Sequence, residues 1–324
     1  AEQEMNRKMH KAITMIQFKL EGKLLMRRKE FGMADRALLD EIDYTEGTVR
    51  LGYQTYPLLD CSFPTIDPEN PYELTREEQE VVNCEKLQKH MQFLLKKGSL
   101  YKIYNHNLLY HGCIPLNEDG SFKEIQVYGK VYKGKALYDV LDSYVRKAFV
   151  AVNEEEREKG KDILWFIWSS LNSPLFGKNK MATFERYFLE AKETHVEEKN
   201  PYYGFLEQEE VADRILEEFQ VTGDCRHIIN GHVPVHYQKE TGIAGYTLIY
   251  NSWGMILAAH ESFTSTRDAI SKESDILSDS ILVKRTTHRK TVGETDTGVK
   301  LKERIADLQE LLDAYRNGLL KERL

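Results

Sequence analysis

The chain has 324 residues, 41% of them apolar, and carries 45 basic against 52 acidic side chains for a net charge of −7. That length allows about two domains with real cores, and the acidic balance, with no basic stripe of interleaved aromatics, excludes nucleic acid as a bulk partner. No apolar run approaches the ~18 residues of a membrane span, and Cys61, Cys84, Cys113 and Cys225 lack C-x-x-C spacing, which predicts reduced thiols in a cytoplasmic protein.

The first predicted element is an amphipathic helix with Met5, Met9, Ile13, Ile16, Leu20 and Leu24 at helical spacing. It has no start signal and Ala1 stands in place of an initiator Met, so the chain is expected to be part of a longer protein. Thr48-Val49-Arg50-Leu51, flanked by Gly47 and Gly52, predicts a short strand, after which Pro57, Pro64, Pro68 and Pro71 forbid regular structure. Thr75 and Glu78 form a capping box for an acidic helix. Leu87, Met91, Leu94 and Leu95 give the next helix a buried stripe, so residues 1–98 read as a mainly helical region.

From Ser99 the period changes. Residues 100–104 and 107–111 pair as a hairpin about Asn105-His106, and 125–128 pairs with 131–132 around Gly129-Lys130. A single long helix is predicted over 136–159, burying Leu137, Leu141, Tyr144, Val145 and Ala148, with Glu154-Glu155-Glu156 as a solvated face. Residues 163–168 are apolar on all sides and are expected to be buried in any structure, and a loop follows over 169–180. Val211, Ile215, Leu216 and Phe219 mark a helix face, 226–230 a strand, and 246–250 with 255–259 a hairpin that closes a region of 99–263. The remaining 264–324 is polar and ends in an amphipathic helix over 298–323 on Leu301, Ile305, Leu308, Leu312 and Leu319.

Two histidines carry the chemistry. His111, in Asn107-Leu108-Leu109-Tyr110-His111-Gly112, and His232, in Ile228-Ile229-Asn230-Gly231-His232, each end a strand-like run and adjoin a glycine. A strand brings each ring to a sheet edge, and the glycine is expected to let the backbone turn sharply beside a metal. They lie 121 residues apart, far beyond a helical His-x-x-x-His, so only the fold can unite them. A lone histidine at a strand end is more often structural. His10, His90, His195, His227, His260 and His288 are read as ordinary helix, strand or surface residues. His236 stays outside the metal set because Pro234 stands where a Gly-His-x-His motif needs its second histidine.

The segments LLYHGCIPLNEDGSF, SPLFGKNKMATFERYFLEAKETH, KNPYY, IINGHVPV and TGIAGYTLIYN occur in this order between Leu87 and Phe263. With them, and with IQFKLEG and FPTIDPENPY nearer the start, the chain resembles the class III fructose-1,6-bisphosphatases of Gram-positive bacteria. The resemblance implies an α+β fold: the C-terminal half of a calcineurin-like metallophosphoesterase β-sandwich flanked by helices, with a helical region before it. It also implies hydrolysis of D-fructose 1,6-bisphosphate to fructose 6-phosphate in gluconeogenesis, with a dinuclear divalent metal site and Mn²⁺ as the first choice.

On this resemblance His111 and His232 complete one metal's shell, together with an Asn and a bridging Asp from outside the chain. The motifs Asp-x-His, Gly-Asp-x-x-Asp-Arg and Gly-Asn-His-Asp do not occur here; Gly223-Asp224-Cys225-Arg226 has Arg226 and His227 where the second requires Asp-Arg. No catalytic residue is therefore assignable, and the chain alone is expected to be inactive. Family members also carry a longer segment where Val235 here runs straight into His236-Tyr237-Gln238.

Loop 173–180 follows the Trp-Ser segment where related phosphatases contact phosphate. Lys178, Lys180 and Arg186 are candidates to grip the sugar's second phosphate, Arg by bidentate contact and Lys as a point charge; the plain alternative is solvated lysines in a polar loop. Tyr202, Tyr203 and Tyr246 are candidates to stack on the sugar or simply to pack. The expected partner is a small phosphorylated sugar, and self-association is compatible with this reading. Two other functions stay open: a phosphoprotein phosphatase on the same fold, which needs an open acidic groove, and a non-catalytic binding module whose histidines hold no metal.

Overall fold

The computed structural model describes residues 2–223, 225–232, 243–261, 266–271 and 278–321, in two units, residues 1–232 and 233–324. Val233, Pro234, Val235 and His236 lie outside the described residues. The unit boundary falls inside the 99–263 region.

The first unit opens with α1 (Glu2–Arg27), whose second half buries Met15, Ile16, Phe18, Leu24 and Leu25. Met5, Met9 and Ile13 are exposed, so the predicted stripe is a core face only from residue 14 onward. Polar contacts also fasten this helix. Lys19, wholly buried, donates to Glu78 Oε2 at 2.7 Å and to the Thr65 carbonyl at 2.5 Å, which satisfies the charge that burial would otherwise penalise. Arg27 and Arg28 both donate to the buried carboxylate of Asp162, Arg28 Nε at 2.6 Å.

Residues 1–98 carry a small sheet between their helices. The predicted strand appears as β2 (Thr48–Leu51), but it lies between β1 (Ile42–Asp43) and β3 (Gln54–Pro57) in a small antiparallel sheet. The expected capping box of Thr75 and Glu78 starts α2 (Arg76–Val82). In α3 (Glu85–Lys97) the expected buried stripe is absent: Leu87 and Leu94 are exposed and only Leu95 packs on the core. Arg146 instead holds the end of this helix, donating to the carbonyls of Leu95 at 2.9 Å and Gly98 at 3.1 Å.

β4 (Tyr101–Tyr104) and β5 (Asn107–Tyr110) form the predicted hairpin. Asn105 and His106 have φ of 49° and 64°, the paired left-handed conformation of a type I′ turn. The second hairpin, β6 (Ile125–Val127) with β7 (Lys130–Tyr132), turns at Tyr128-Gly129, one residue before the expected pair.

The predicted single helix is two, α4 (Gly134–Val150) and α5 (Glu154–Ser169). Asn153 decides this, because its side chain accepts from the Glu156 N–H at 3.2 Å and starts a new helix. The two helices cross closely at Gly160, where a Cβ would stand 2.3 Å from Ala148 N. Residues 163–168 lie in α5, which buries Ile163, Phe166 and Ile167 but leaves Trp168 44% exposed, against the expectation of burial on all sides.

The chain continues through α6 (Thr183–Phe188) and α7 (Glu209–Glu218) to β8 (His227–Asn230), which pairs in parallel with β5. The register sets Leu108 beside Ile228, Leu109 beside Ile229 and Tyr110 beside Asn230, in a sheet of order β4-β5-β8. Its core joins Leu108, Leu116, Leu137, Tyr138, Leu141, Ile163 and Phe219, with Leu24 and Leu25 of α1. A second core gathers Met15 and Phe18 with Val49, Phe184 and Phe188.

In the second unit β9 (Ile243–Asn251) and β10 (Gly254–Glu261) form the expected hairpin, α8 (Thr266–Ser271) follows, and β11 (Ser278–Arg285) adds to β10. That third strand lies in a stretch read as polar, since Ile281, Leu282 and Val283 sit among Ser, Asp and Lys. α9 (Asp296–Arg316) starts on Thr295, whose hydroxyl accepts from Gly298 N at 3.1 Å, and stops short of the predicted 323 before Gly318, whose φ is 71°. Its Leu301, Ile305, Leu308 and Leu312 are exposed. The chain is thus α+β.

Candidate metal centre

β5 and β8 deliver the two predicted histidines to one place. Each strand ends one or two residues before its histidine, and the parallel pairing continues into the turns: Gly231 N donates to the His111 carbonyl at 2.9 Å and Asn230 Nδ2 to the Gly112 carbonyl at 3.0 Å. His111 Nε2 and His232 Nδ1 stand 3.0 Å apart, the rings inclined at 72°.

The two glycines act differently. A Cβ on Gly112 would lie 2.7 Å from the Pro174 carbonyl oxygen and 2.8 Å from that of Leu175, so glycine is needed there for close approach of the following loop. Gly231 has no such demand, since among the described residues its Cβ would meet only the His111 oxygen at 3.7 Å. The sharply turned residue is His232 itself, at φ 68°. This corrects the expectation that glycine turns the backbone there; an imidazole in the left-handed region costs on the order of 1 kcal/mol or more and marks a residue held by its surroundings.

The pair fits a metal ion. Nitrogens 3.0 Å apart are near enough to share one ion. A hydrogen bond between neutral rings has the same length, and the surroundings of His232 suit ligation equally. Its ring is pushed toward the neutral form by burial first, then by His111 and the Lys178 ammonium, and a ligating imidazole must be neutral. With Nδ1 on a metal, Nε2 would carry the proton, and that atom is buried without a hydrogen-bond partner among the described residues. Among the described residues no three His, Cys, Asp or Glu side chains converge as a metal site, so the two imidazoles can supply only part of a shell.

The basic loop is not simply solvated. Lys178 Nζ donates to Glu197 Oε2 at 2.8 Å, and Arg186 reaches Glu197 Oε1 at 3.1 Å. Lys180 Nζ instead donates to the Thr194 carbonyl at 2.7 Å and approaches Glu185 Oε1 at 3.4 Å, a buried carboxylate already paired with Arg36. Lys178 also lies over the Phe176 ring, which packs on His232. Lys178 is thereby joined to the histidine pair.

Tyr202 is buried, its hydroxyl hydrogen-bonded to that of Tyr110 at 2.7 Å and its ring against Tyr203, the packed alternative of the two expected for it. Tyr203 is half-buried beside Cys113, whose thiol burial pushes up to about 12. Tyr246 lies on β9 of the second unit, exposed. Sequence reasoning missed Glu197, Phe176 and Asn230. Asn230 sat inside the histidine motif and was readable there; Glu197 lay in a Lys- and Glu-rich stretch with no pattern to single it out.

The family model described as Firmicute fructose-1,6-bisphosphatase matches residues 1–237 and 236–317. The chain is 50% identical over 348 residues to fructose-1,6-bisphosphatase class 3 of Clostridium botulinum (strain Loch Maree / Type A3), covering 97% of this chain and 52% of that protein. It is 49% identical to the class 3 enzyme of Listeria monocytogenes serovar 1/2a, covering 97% and 53%. No solved structure matches. The chain belongs to the Firmicute fructose-1,6-bisphosphatase family, and it spans about half the length of the curated relatives it matches. Among the described residues no helix is long and apolar enough to cross a membrane.

Proposed function

We propose that the protein carrying this chain hydrolyses D-fructose 1,6-bisphosphate to fructose 6-phosphate and phosphate, a gluconeogenic step, in the cytoplasm. The reading includes a calcineurin-like metallophosphoesterase sandwich and a divalent metal site, with Mn²⁺ as the preferred ion. The names of the relatives support the substrate. The observation that carries the chemistry is the approach of His111 Nε2 to His232 Nδ1 at 3.0 Å from neighbouring parallel strands.

A bound metal would polarise a phosphoryl oxygen and activate water. The chain's own residues do the rest. His111 and His232 would hold the ion, and burial pushes His232 toward the neutral form that a ligand needs. Lys178, Lys180 and Arg186 attract the phosphate that does not react, with Lys178 nearest the histidines through Phe176. Tyr203 borders the same loop through Gly177, where a Cβ would meet its ring at 3.4 Å. The rival phosphoprotein phosphatase gains nothing from the open acidic groove at Asp40, Glu41 and Asp43, because no residue of the histidine segments lines it.

The test uses the protein as its gene encodes it. Metal-dependent turnover of fructose 1,6-bisphosphate in preference to phosphopeptides is expected, and the opposite preference would overturn the sugar reading. Lys178→Ala should raise KM for the bisphosphate roughly ten- to a hundred-fold, the equivalent of ~1.5 to 3 kcal/mol for one charge-assisted contact. A minimal aryl phosphate, with no second phosphate to lose, should be much less affected. Equal impairment on both substrates would assign the loop to the reacting phosphoryl group instead.

A further inference from the structure

Lys178 and Arg186 come from different elements, a loop and α6, yet both point at one carboxylate. Glu197 reaches them from a neighbouring segment that runs antiparallel to the loop. Lys178 bridges Lys199, Asn179 N donates to the Glu198 carbonyl at 2.9 Å, and Asn200 N donates to the Gly177 carbonyl at 2.8 Å. Glu197 Oε1 also accepts from Ala182 N at 3.1 Å. We propose that Glu197 is a positioning residue, which presets Lys178 and Arg186 as a two-cation clamp for the non-reacting phosphate of the substrate. The inference rests on the substrate reading above.

Two roles are open to a carboxylate so placed: it can be a stand-in that the phosphate displaces, or an anchor that stays while the cations take up the phosphate. Exposure decides between them. The Glu197 side chain is 11% exposed and pinned by a backbone N–H, which makes it the hardest of the three side chains for an incoming dianion to displace. Lys178 is 25% and Arg186 56% exposed, and each has donors to spare. An ammonium has three N–H bonds and a guanidinium five; Glu197 takes one contact from each. Long cationic side chains lose rotamer freedom on binding, and an anchor that has already ordered them lowers that cost. Lys180 has separate anchors in Thr194 and Glu185, so Glu197 does not position it.

Kinetics on the protein as its gene encodes it test the proposal. Glu197→Gln keeps the shape and an acceptor for Ala182 N but removes the charge, so KM for fructose 1,6-bisphosphate should rise about tenfold, with kcat changed less than about twofold and the aryl phosphate little affected. Glu197→Asp should recover part of the loss. In a Lys178→Ala, Arg186→Ala background, Glu197→Gln should add less than about twofold, because a residue that acts through others has nothing left to position. Thermal melts identify a variant that merely unfolds, in which case Glu197→Asp carries the comparison. Unchanged KM in Glu197→Gln, when Lys178→Ala alone raises it, would overturn the positioning role and leave the substrate reading standing. So would a loss that adds fully in the triple variant. Unchanged KM in the Lys178→Ala, Arg186→Ala protein would instead overturn the clamp together with the phosphate-binding reading of the loop.

Discussion

Gly112 and Gly231 adjoin the two histidines, yet the space around them differs enough to separate their roles by substitution. Alanine at 112 drives its Cβ against two backbone carbonyls at 2.7 and 2.8 Å, which cannot swing aside as a side-chain tip can. Gly112→Ala should therefore destabilise by about 1–3 kcal/mol, the range of overpacking in a close-packed site. Gly231→Ala, with its Cβ 3.7 Å from the His111 oxygen, should be tolerated. Denaturant midpoints measured on both variants check this, and equal losses would mean that the carbonyl contact is not decisive. Both histidines were legible in the sequence because each closes an apolar run next to glycine. The left-handed backbone of His232 and the grip of Glu197 were not, since each depends on contacts from other segments that leave no local pattern.

Among elements, α1 ties the first unit together through charged groups that sequence periodicity treats as surface. Asp162 of α5 takes Arg27 and Arg28, Glu78 takes Lys19, and Glu21 faces Arg36 and Glu185. Burial raises the Glu21 carboxyl from 4.5 to about 7, with Arg36 opposing and Glu185 adding to the shift. The unfolded chain then releases this proton near pH 4.5 while the folded protein keeps it until about pH 7. Stability should fall as pH rises through that window, because the native state binds more protons there. The full shift would correspond to ~3 kcal/mol; Glu21 retains partial exposure, so a loss of about 1–2 kcal/mol is expected after solvent screening. Glu21→Gln should flatten the dependence and stabilise the protein at pH 8, as urea unfolding at several pH values would reveal. An unchanged slope would locate the proton elsewhere. Local chemistry was readable for the type I′ turn and the Thr75 capping box. It failed at α4 and α5, where the predicted single helix ran through the asparagine that caps the second, and in α3 and α9, where helical spacing named a stripe but could not say whether anything covered it.

At the scale of the whole molecule, the decisive contact joins residues 121 apart through the parallel β5–β8 pair. Periodicity identified both strands but not their partnership, because nothing local in a four-residue strand specifies a parallel neighbour so distant. Family resemblance supplied the partnership, and the register of Tyr110 with Asn230 supplies the physical means. The central claim is that these imidazoles ligate one ion together. Mn²⁺ titration followed by the paramagnetic signal of the free ion tests it most directly, on the protein as its gene encodes it and on its His111→Ala and His232→Ala variants. Each variant should weaken the same Mn²⁺ site by at least about tenfold, and the double variant should be little worse than either single one. Unchanged Mn²⁺ affinity and stoichiometry in both single variants would contradict the account and make the 3.0 Å contact a hydrogen bond between two structural histidines.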